Sequence, residues 1–262
     1  MKPLLLTIVC VSYFLMTYAQ FLSMPAGKDA AAGSYSRHFQ QVASAAYQPA
    51  GLSCLHAFTA GVYAEQRFLL QEIPLYQAMA ALPAGAGAFG LQLMRLGSSV
   101  YYRQQAALAY GMRLGRNAGI GLQGSYLTEA ITGYGSRGGV AVTGGLLWHA
   151  GEQWHTGVRI SHSRPGTTIY SAGIGFEASS AFLLSAEIGK ADNETAWLKA
   201  TASYRIVPPL ALQWGFATCA PFQHAGITIH WHMLQIMFAA GFHPQLGITP
   251  STTIIWQRDG TE

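Results

Sequence analysis

The alternation of residue types between Tyr110 and Leu127 is the feature that most limits how this chain can fold. The stretch YGMRLGRNAGIGLQGSYL repeats every second residue on both sides of Arg116-Asn117, so it predicts two strands joined by a tight turn. One face of this hairpin is entirely apolar, and the other carries Gly, Ser, Gln and Arg with no acidic residue. Such a hairpin needs an apolar medium on one side and a polar interior on the other.

The low charge content identifies that medium. Of 262 residues, 50% are hydrophobic and only 10% are charged, whereas soluble domains carry about 25% charged residues. A water-soluble barrel or sandwich is the alternative, but it would need charged outward faces that this chain cannot supply. No apolar run after the N-terminus reaches the roughly 18 residues of a helical span. The sequence therefore predicts an outer-membrane β-barrel. The net charge of +4 is scattered, which argues against nucleic-acid binding.

The same alternation, broken by Gly, Pro, Asn or Asp, continues along the chain. It predicts fourteen strands, an even number as in closed bacterial barrels. The predicted strands are 54–67, 72–82, 86–97, 101–114, 117–129, 137–149, 152–163, 168–178, 181–190, 195–206, 209–219, 223–231, 233–242 and 249–257. Seven aromatic residues near strand ends are expected at the membrane interfaces: Trp148, Trp154, Tyr170, Trp197, Trp214, Trp231 and Trp256. The predicted fold class is all-β, a transmembrane antiparallel β-barrel of about 14 strands, with an N-terminal segment at or in the lumen.

The N-terminus has the pattern of a signal peptide. Met1-Lys2 is followed by an apolar core and by Thr17-Tyr18-Ala19, which predicts cleavage between Ala19 and Gln20. The predicted domains are a signal peptide (1–19), an N-terminal segment that could plug the lumen (20–53), the barrel (54–257) and a short polar tail (258–262). Cys54 and Cys219 lie on distant predicted strands, where they are expected as small apolar packing residues and not as a disulfide.

Polar side chains within the strands are expected to face the lumen. Arginine or lysine on the lipid face near the bilayer midplane costs about 2–4 kcal/mol. The predicted lumen-facing residues are Arg103, Arg113, Gln123, Arg159, Glu187, Lys199, Arg205, His230 and His232.

Two motifs contain residues of the kinds used in metal binding or catalysis. In TIHWHM, His230 and His232 are two apart on one predicted strand face, as a metal pair would need. No third ligand is visible at diagnostic spacing, so lumen or interface histidines are the better interpretation. In RISHSRPG, His162 and Ser163 loosely resemble the His-x-Ser element of outer-membrane lipid hydrolases. Adjacent strand residues point to opposite faces, so they cannot form a catalytic dyad. The sequence predicts no enzyme, metal or cofactor.

Several stretches resemble a known family. SAAYQPAGLSCL (44–55) resembles the NPAGL segment that precedes the first strand in the FadL-like barrels of Bacteroidota, with Gln48 in place of the usual asparagine. The similarity continues through GYGSRGGVAVTGGLLW and ends with LQIMFAAGFHPQLGITPSTTIIW, which resembles the closing hairpin of that group. The group includes the PorV and PorQ proteins of the type IX secretion system. The resemblance implies about fourteen strands and an N-terminal segment that enters the lumen.

The resemblance leaves three function classes open, and fold alone does not choose among them. The first is an accessory subunit of secretion or assembly machinery, with a protein partner. The second is a FadL-like channel with a hydrophobic ligand, and the third is a barrel enzyme or adhesin. Outer-membrane lipids are expected partners in every case. The inward faces mix Gly and Ala with Arg and Gln and favour a narrow lumen, so the accessory subunit is preferred. The short predicted turns leave little loop for adhesion.

Overall fold

Fourteen antiparallel strands close into a barrel, in which each strand pairs with its neighbours in sequence and β1 pairs with β14. The computed structural model describes residues 32–164, 166–192, 194–219 and 223–258. The predicted signal peptide, its cleavage between Ala19 and Gln20, and all but the first residue of the predicted tail lie outside the described residues. The strands are β1 Thr59–Gln66, β2 Pro74–Ala84, β3 Gly87–Gly97, β4 Tyr101–Leu114, β5 Ala118–Ile131, β6 Gly135–His149, β7 Trp154–Arg164, β8 Thr167–Ser179, β9 Phe182–Ala191, β10 Trp197–Val207, β11 Leu210–Ala217, β12 Gln223–Trp231, β13 Leu234–His243 and β14 Gly247–Gln257.

The two faces of the barrel wall differ as the alternation predicts. On the outside, Leu108, Leu122 and Val142 expose 62%, 61% and 52% of their surface. On the inside, Ala107 and Gln123 are buried. A continuous apolar surface of this kind is stable only in lipid. Closure of the barrel pairs the backbone groups of every strand, so only the outer side chains contact the acyl chains. The predicted all-β transmembrane barrel and its outer-membrane location are confirmed.

Residues 33–55, which we call the luminal plug, lie inside the barrel. They include the end of a short 3-10 helix (Ala32–Tyr35), the helix α1 (Val42–Tyr47) and a second 3-10 helix (Pro49–Cys54). The backbone N–H of Gln41 donates to Ser44 Oγ over 2.8 Å, which satisfies a free donor at the start of α1. Pro49 then opens the second 3-10 helix, where its missing N–H costs nothing. No helix in the described ranges is long and apolar enough to span a membrane.

The plug extends further along the chain than the sequence indicated. β1 begins at Thr59 and not at residue 54, because Pro49–Cys54 is a 3-10 helix packed in the lumen. Cys54 therefore lies in the plug and not in a strand, and Cys219 lies just after β11. Both cysteines are free thiols.

The two ends of the barrel are distinguishable. Phe58 and Arg258 meet where β1 begins and β14 ends, since the N–H of Arg258 donates to the carbonyl of Phe58 over 3.0 Å. We call this the terminal end. Its turns are short, such as 85–86 and 232–233, whereas the opposite, loop end includes the longest connection, 67–73. Because outer-membrane barrels have short periplasmic turns and longer extracellular loops, the loop end faces outward from the cell.

Aromatic residues mark the terminal end. Trp148, Trp154, Trp231 and Trp256 are all exposed on the outer face within two residues of a strand terminus there, as interface residues should be. Trp197 departs from the prediction: it shares the inward face with Lys199, whose ammonium lies 4.5 Å from its ring centroid. Strand parity places Trp197 inside because it is two residues from Lys199.

Candidate functional site

Glycines on the inner face of the wall leave room for the plug to pack against the strands. A Cβ atom on Gly111 would lie 2.5 Å from the carbonyl oxygen of Pro49 and 2.7 Å from Leu52 Cβ. A Cβ on Gly173 would overlap the ring of Tyr35, which is fully buried. Real side chains do not approach this closely, so the plug backbone can touch the wall only because these positions lack side chains.

The plug is held to the wall by a buried polar cluster around Tyr47. The Tyr47 hydroxyl donates to Glu187 and accepts a hydrogen bond of 3.0 Å from Arg159. The Arg159 guanidinium also lies 4.1 Å from the centre of the Tyr47 ring, and the Lys199 ammonium lies 5.8 Å away on the same ring. Burial, with the Glu187 carboxylate nearby, raises the pKa of the Tyr47 hydroxyl far above its usual range. The hydroxyl therefore stays protonated and keeps its donor role.

A second cluster forms around Glu177. This carboxylate accepts hydrogen bonds from the backbone N–H groups of Arg37 and His38, and the His38 imidazole lies 2.6 Å away. His155 approaches the same carboxylate to 3.2 Å from the wall and lies 2.8 Å from His149. Each of these side chains contacts the next, and no group of three His, Cys, Asp or Glu residues among those described is arranged to hold a metal ion. The cluster anchors the plug's first turn.

Cys54 is the last side chain in this series of contacts. Its Sγ is 3.7 Å from His149 Nε2. Burial raises the pKa of the Cys54 thiol, so the reactive thiolate is disfavoured at neutral pH.

The plug packs on one side of the lumen and leaves a cavity of about 220 Å³ against the other, which we call the plug–wall cavity. On the plug it is bounded by Phe39 and Gln41, and on the wall by residues of β1, β2 and β10–β14. Its wall residues come from the ends of β10, β12 and β14 and the starts of β11 and β13, so it lies toward the terminal end.

One part of the cavity lining is apolar and aromatic. Tyr63, Met79 and Met237 line it from the wall, and the Phe39 ring lines it from the plug. These side chains offer a surface of the kind that small apolar ligands bind in other proteins.

The polar part of the lining carries buried nitrogen atoms that have no hydrogen-bond partner among the described residues. They are Arg205 Nε, Gln213 Nε2, His230 Nδ1 and Gln235 Nε2. Buried donors without partners are costly, at about 1–3 kcal/mol each, and are uncommon in folded proteins. Three of the four are donors in any protonation state. The cavity is therefore suited to a molecule that presents hydrogen-bond acceptors beside an apolar body.

The structure places the predicted lumen-facing residues in several different surroundings. Arg159, Glu187 and Lys199 meet around Tyr47. Arg205 and His230 line the plug–wall cavity. Gln123 is enclosed beneath the plug, and its amide Nε2 donates to Ser125 Oγ over 3.1 Å.

Two of the predicted residues lie at the rims. Arg103 is near the loop end, where its guanidinium pairs with Glu129 at 3.0 Å. Arg113 is near the terminal end, 3.0 Å from the Nδ1 atom of His56. Burial and the Arg113 charge lower the pKa of His56, so its imidazole is neutral at pH 7.

His232 is the predicted lumen-facing residue that lies outside the strands. β12 ends at Trp231, and His232 follows in the turn with a φ of 53°. The prediction that His230 and His232 share a strand face is therefore wrong, because the turn begins one residue too early for the alternation to reach His232.

Sequence reasoning missed the plug's half of the site. Tyr35, Tyr47 and Phe39 belong to a segment without clear periodicity, so no pattern indicated which side chains would face the wall. The available signal was the recurrence of glycine at inward positions of the consecutive strands β4 to β8, where a barrel wall would otherwise carry side chains: Gly111, Gly121, Gly145, Gly157 and Gly173.

Comparisons with known proteins agree with this architecture. No protein-family model matches the chain, and no curated protein matches it. The structure is similar to the toluene transporter TbuX of Ralstonia pickettii, with a TM-score of 0.65 and 10% identity over 90% of this chain and 98% of that one. It is also similar to a FadL homologue of Pseudomonas aeruginosa, with a TM-score of 0.60 and 10% identity over 90% and 97% of the two chains. The toluene transporter TodX of Pseudomonas putida gives a TM-score of 0.60 at 8% identity over 90% and 98%.

At these identities the similarity shows a shared fold and nothing finer. The barrel of about fourteen strands implied by the sequence resemblance is confirmed. None of these three structures is a PorV or PorQ protein, so that narrower assignment remains a prediction.

Proposed function

We propose that this barrel is a channel for small amphipathic molecules, each with an apolar body of about one ring and a hydrogen-bond-accepting group. The plug–wall cavity is the binding site. The observation that carries the proposal is the pairing, in one cavity, of an apolar wall with buried nitrogen donors that have no partner within the part of the chain that the structure describes. The FadL-type fold, shared with two toluene transporters, supports the same class of cargo.

The size of the cavity sets the size of the cargo. An apolar cavity of about 150 Å³ admits benzene, so the 220 Å³ found here accommodates a single substituted ring. Met79 and Met237 supply flexible apolar contacts to such a ring. Arg205 and Gln213 supply donors for a carboxylate or a carbonyl group.

This proposal differs from the preference of the sequence analysis for a secretion subunit. That preference depended on a narrow lumen without an apolar space, and the plug–wall cavity favours the channel instead. The PorV/PorQ-type accessory role keeps only the sequence resemblance as support. It expects a stoichiometric protein partner when the barrel is purified from outer membranes in mild detergent.

Uptake of benzoate tests the proposed function. Cells that lack the protein and cells that carry it receive radiolabelled benzoate, and initial uptake rates are compared at limiting concentration. We expect the protein to raise the rate, and an Arg205→Met variant to lose most of that gain. Equal rates with and without the protein would exclude the proposed function.

Affinity of the purified protein for benzoate tests the site. A charge-assisted hydrogen bond contributes about 1.5–3 kcal/mol, so Arg205→Met is expected to weaken binding by roughly 10- to 150-fold. Arg113→Met is the matched control, because Arg113 is also an arginine at the terminal end but contacts His56 and not the cavity. If both variants weaken binding alike, the cavity is not the site.

A further inference from the structure

The charged side chains of the strands are distributed unevenly between the two faces. All four acidic strand residues, Glu65, Glu129, Glu177 and Glu187, face inward and are buried or partly buried. The basic residues that face outward are Arg95, Arg164 and Lys190, and each lies within two residues of the loop end of its strand. The outer surface of the described strands is therefore positive at one end and carries no compensating carboxylate.

This placement fits an interface and not the bilayer interior. Arg95 is two residues from Gly97, where β3 ends, which puts it about 7 Å from the loop end at the usual rise of a strand. Near an interface the cost of an outward arginine falls to about 0–1 kcal/mol. Three cations at the same end are consistent with an anionic lipid surface there.

Arg95 differs from the other two because it borders a groove. The groove has a volume of about 840 Å³ and crosses the outer surface from β14 to β5. Its floor is made of small outward residues, Ala64, Ala78 and Ala106. The inward residues beneath it, such as Tyr63 and Gln105, are buried, so the open space lies on the lipid side of the wall.

The side chains around the groove separate into polar and apolar parts. Arg95 pairs across the sheet with Tyr76 on one side and Gln104 on the other, and its guanidinium lies 4.8 Å from the Tyr102 ring centroid. Toward the middle of the membrane the lining becomes apolar, with Leu93. The groove thus has a cationic head near the surface and a hydrophobic body below it.

We propose that this groove binds a phosphorylated glycolipid of the outer leaflet, with one acyl chain over the alanine floor and a phosphate at Arg95. The planar guanidinium donates two parallel hydrogen bonds to phosphate oxygens. Ring contact with Tyr102 orients the guanidinium, and Gln104 adds a neutral donor beside it. No ion pair to Arg95 exists within the described part of the chain, so its charge is available to the lipid.

The site does not depend on the proposed transport function, since it lies outside the wall. The strands that carry it, β14 and β1–β5, are paired continuously, so the groove does not open into the lumen. The site concerns how the barrel is held in its leaflet.

Lipid retention in native mass spectrometry tests this proposal. The full-length protein is extracted in mild detergent, stripped of lipid and mixed separately with lipid A, phosphatidylglycerol or phosphatidylcholine. We expect one lipid A to be retained in preference to the other two. Arg95→Ala should reduce its retention about tenfold, as expected for the loss of a charge-assisted contact. Lys190→Ala removes an equivalent outward charge away from the groove and should change retention less than about twofold.

A second variant separates the acyl chain from the phosphate. Ala106→Phe fills the groove without changing charge, and an apolar residue on the lipid face leaves the barrel stable. It should reduce lipid A retention as Arg95→Ala does. Heat-dependent gel migration establishes that each variant is folded. The proposal is overturned if Arg95→Ala and Lys190→Ala behave alike, if Ala106→Phe binds as the parent does, or if phosphatidylglycerol or phosphatidylcholine is retained equally well.

Discussion

A single methyl group on the inner wall should loosen the plug without unfolding the barrel. In Gly111→Ala the new Cβ would lie 2.5 Å from the Pro49 carbonyl oxygen, 2.7 Å from Leu52 Cβ and 3.2 Å from the Ser53 nitrogen. Ordinary contact begins at 3.4 Å, so the difference from 2.5 Å requires the plug to move by about 0.9 Å. The neighbouring atoms belong mainly to the plug backbone and cannot rotate away.

The displacement has a calculable cost. Gln48 Nε2 donates to the Val158 carbonyl over 3.1 Å, and a further 0.9 Å takes that pair beyond hydrogen-bonding range. Overpacking of this kind costs about 1–3 kcal/mol. When the plug opens and closes faster than the protease cuts, the cleavage rate is proportional to the population of the displaced plug. A cost of this size raises that population, and therefore the cleavage rate, roughly 5- to 150-fold.

Trypsin cleavage after Arg37 measures the effect, since Arg37 is a plug residue whose N–H is bound to Glu177 when the plug is seated. The matched control is Gly124→Ala in β5, where an added Cβ meets nothing within 4 Å because it points to lipid. We expect Gly111→Ala to be cut faster than the parent and Gly124→Ala at the parental rate, with both barrels still heat-modifiable on gels. Equal cleavage of the two variants would refute the inference that the inward-facing glycines of the wall make room for the plug.

Two further outcomes concern the plug. Tyr47→Phe removes the hydroxyl that joins Glu187 and Arg159, and loss of this buried pair should cost about 1–3 kcal/mol, measured as faster cleavage after Arg37 at pH 8. Burial raises the pKa of Tyr47 in the folded protein above its usual value of 10.0. The stabilisation of the seated plug by the Tyr47 hydroxyl is therefore complete below pH 10 and decreases above it. The parent plug should loosen in alkali, and Tyr47→Phe should show a weaker pH dependence. Cys54, whose pKa is raised by burial, should react with iodoacetamide at pH 8 much more slowly than a free thiol; reaction at the free rate would show that the plug does not cover it.

The strand pattern predicted the wall well because it depends on local rules. Period-two alternation gave the inward position of Gln123 and the outward position of Leu122, and both follow from strand geometry alone. Trp197 was misplaced because its position near a strand end was taken to indicate an interface residue, although its parity with Lys199 pointed inward. Period-two alternation also failed to predict the turn at His232, because the alternation of residue types in TIHWHM continues beyond Trp231, where the strand ends.

The candidate site was predicted only in part, because half of it comes from another segment. Arg205 and His230 were expected in the lumen, but nothing in their neighbourhood indicated that Phe39 would face them across a cavity. Tyr47 reaches Arg159 across 112 positions of sequence and Glu187 across 140. No local periodicity encodes contacts at that separation.

What the sequence by itself determined is the solvent of each face: scarce charge and strict alternation require lipid outside and a polar interior within. Only the tertiary structure decided which inward residues meet. Closing fourteen strands fixes the register of every pair around the ring, and that register brings glycines from neighbouring strands into one strip for the plug. The plug fills only part of the lumen, and the plug–wall cavity is the part that it leaves unfilled. Local sequence sets side-chain direction through steric geometry, whereas the meeting of distant side chains depends on the closure of the whole barrel.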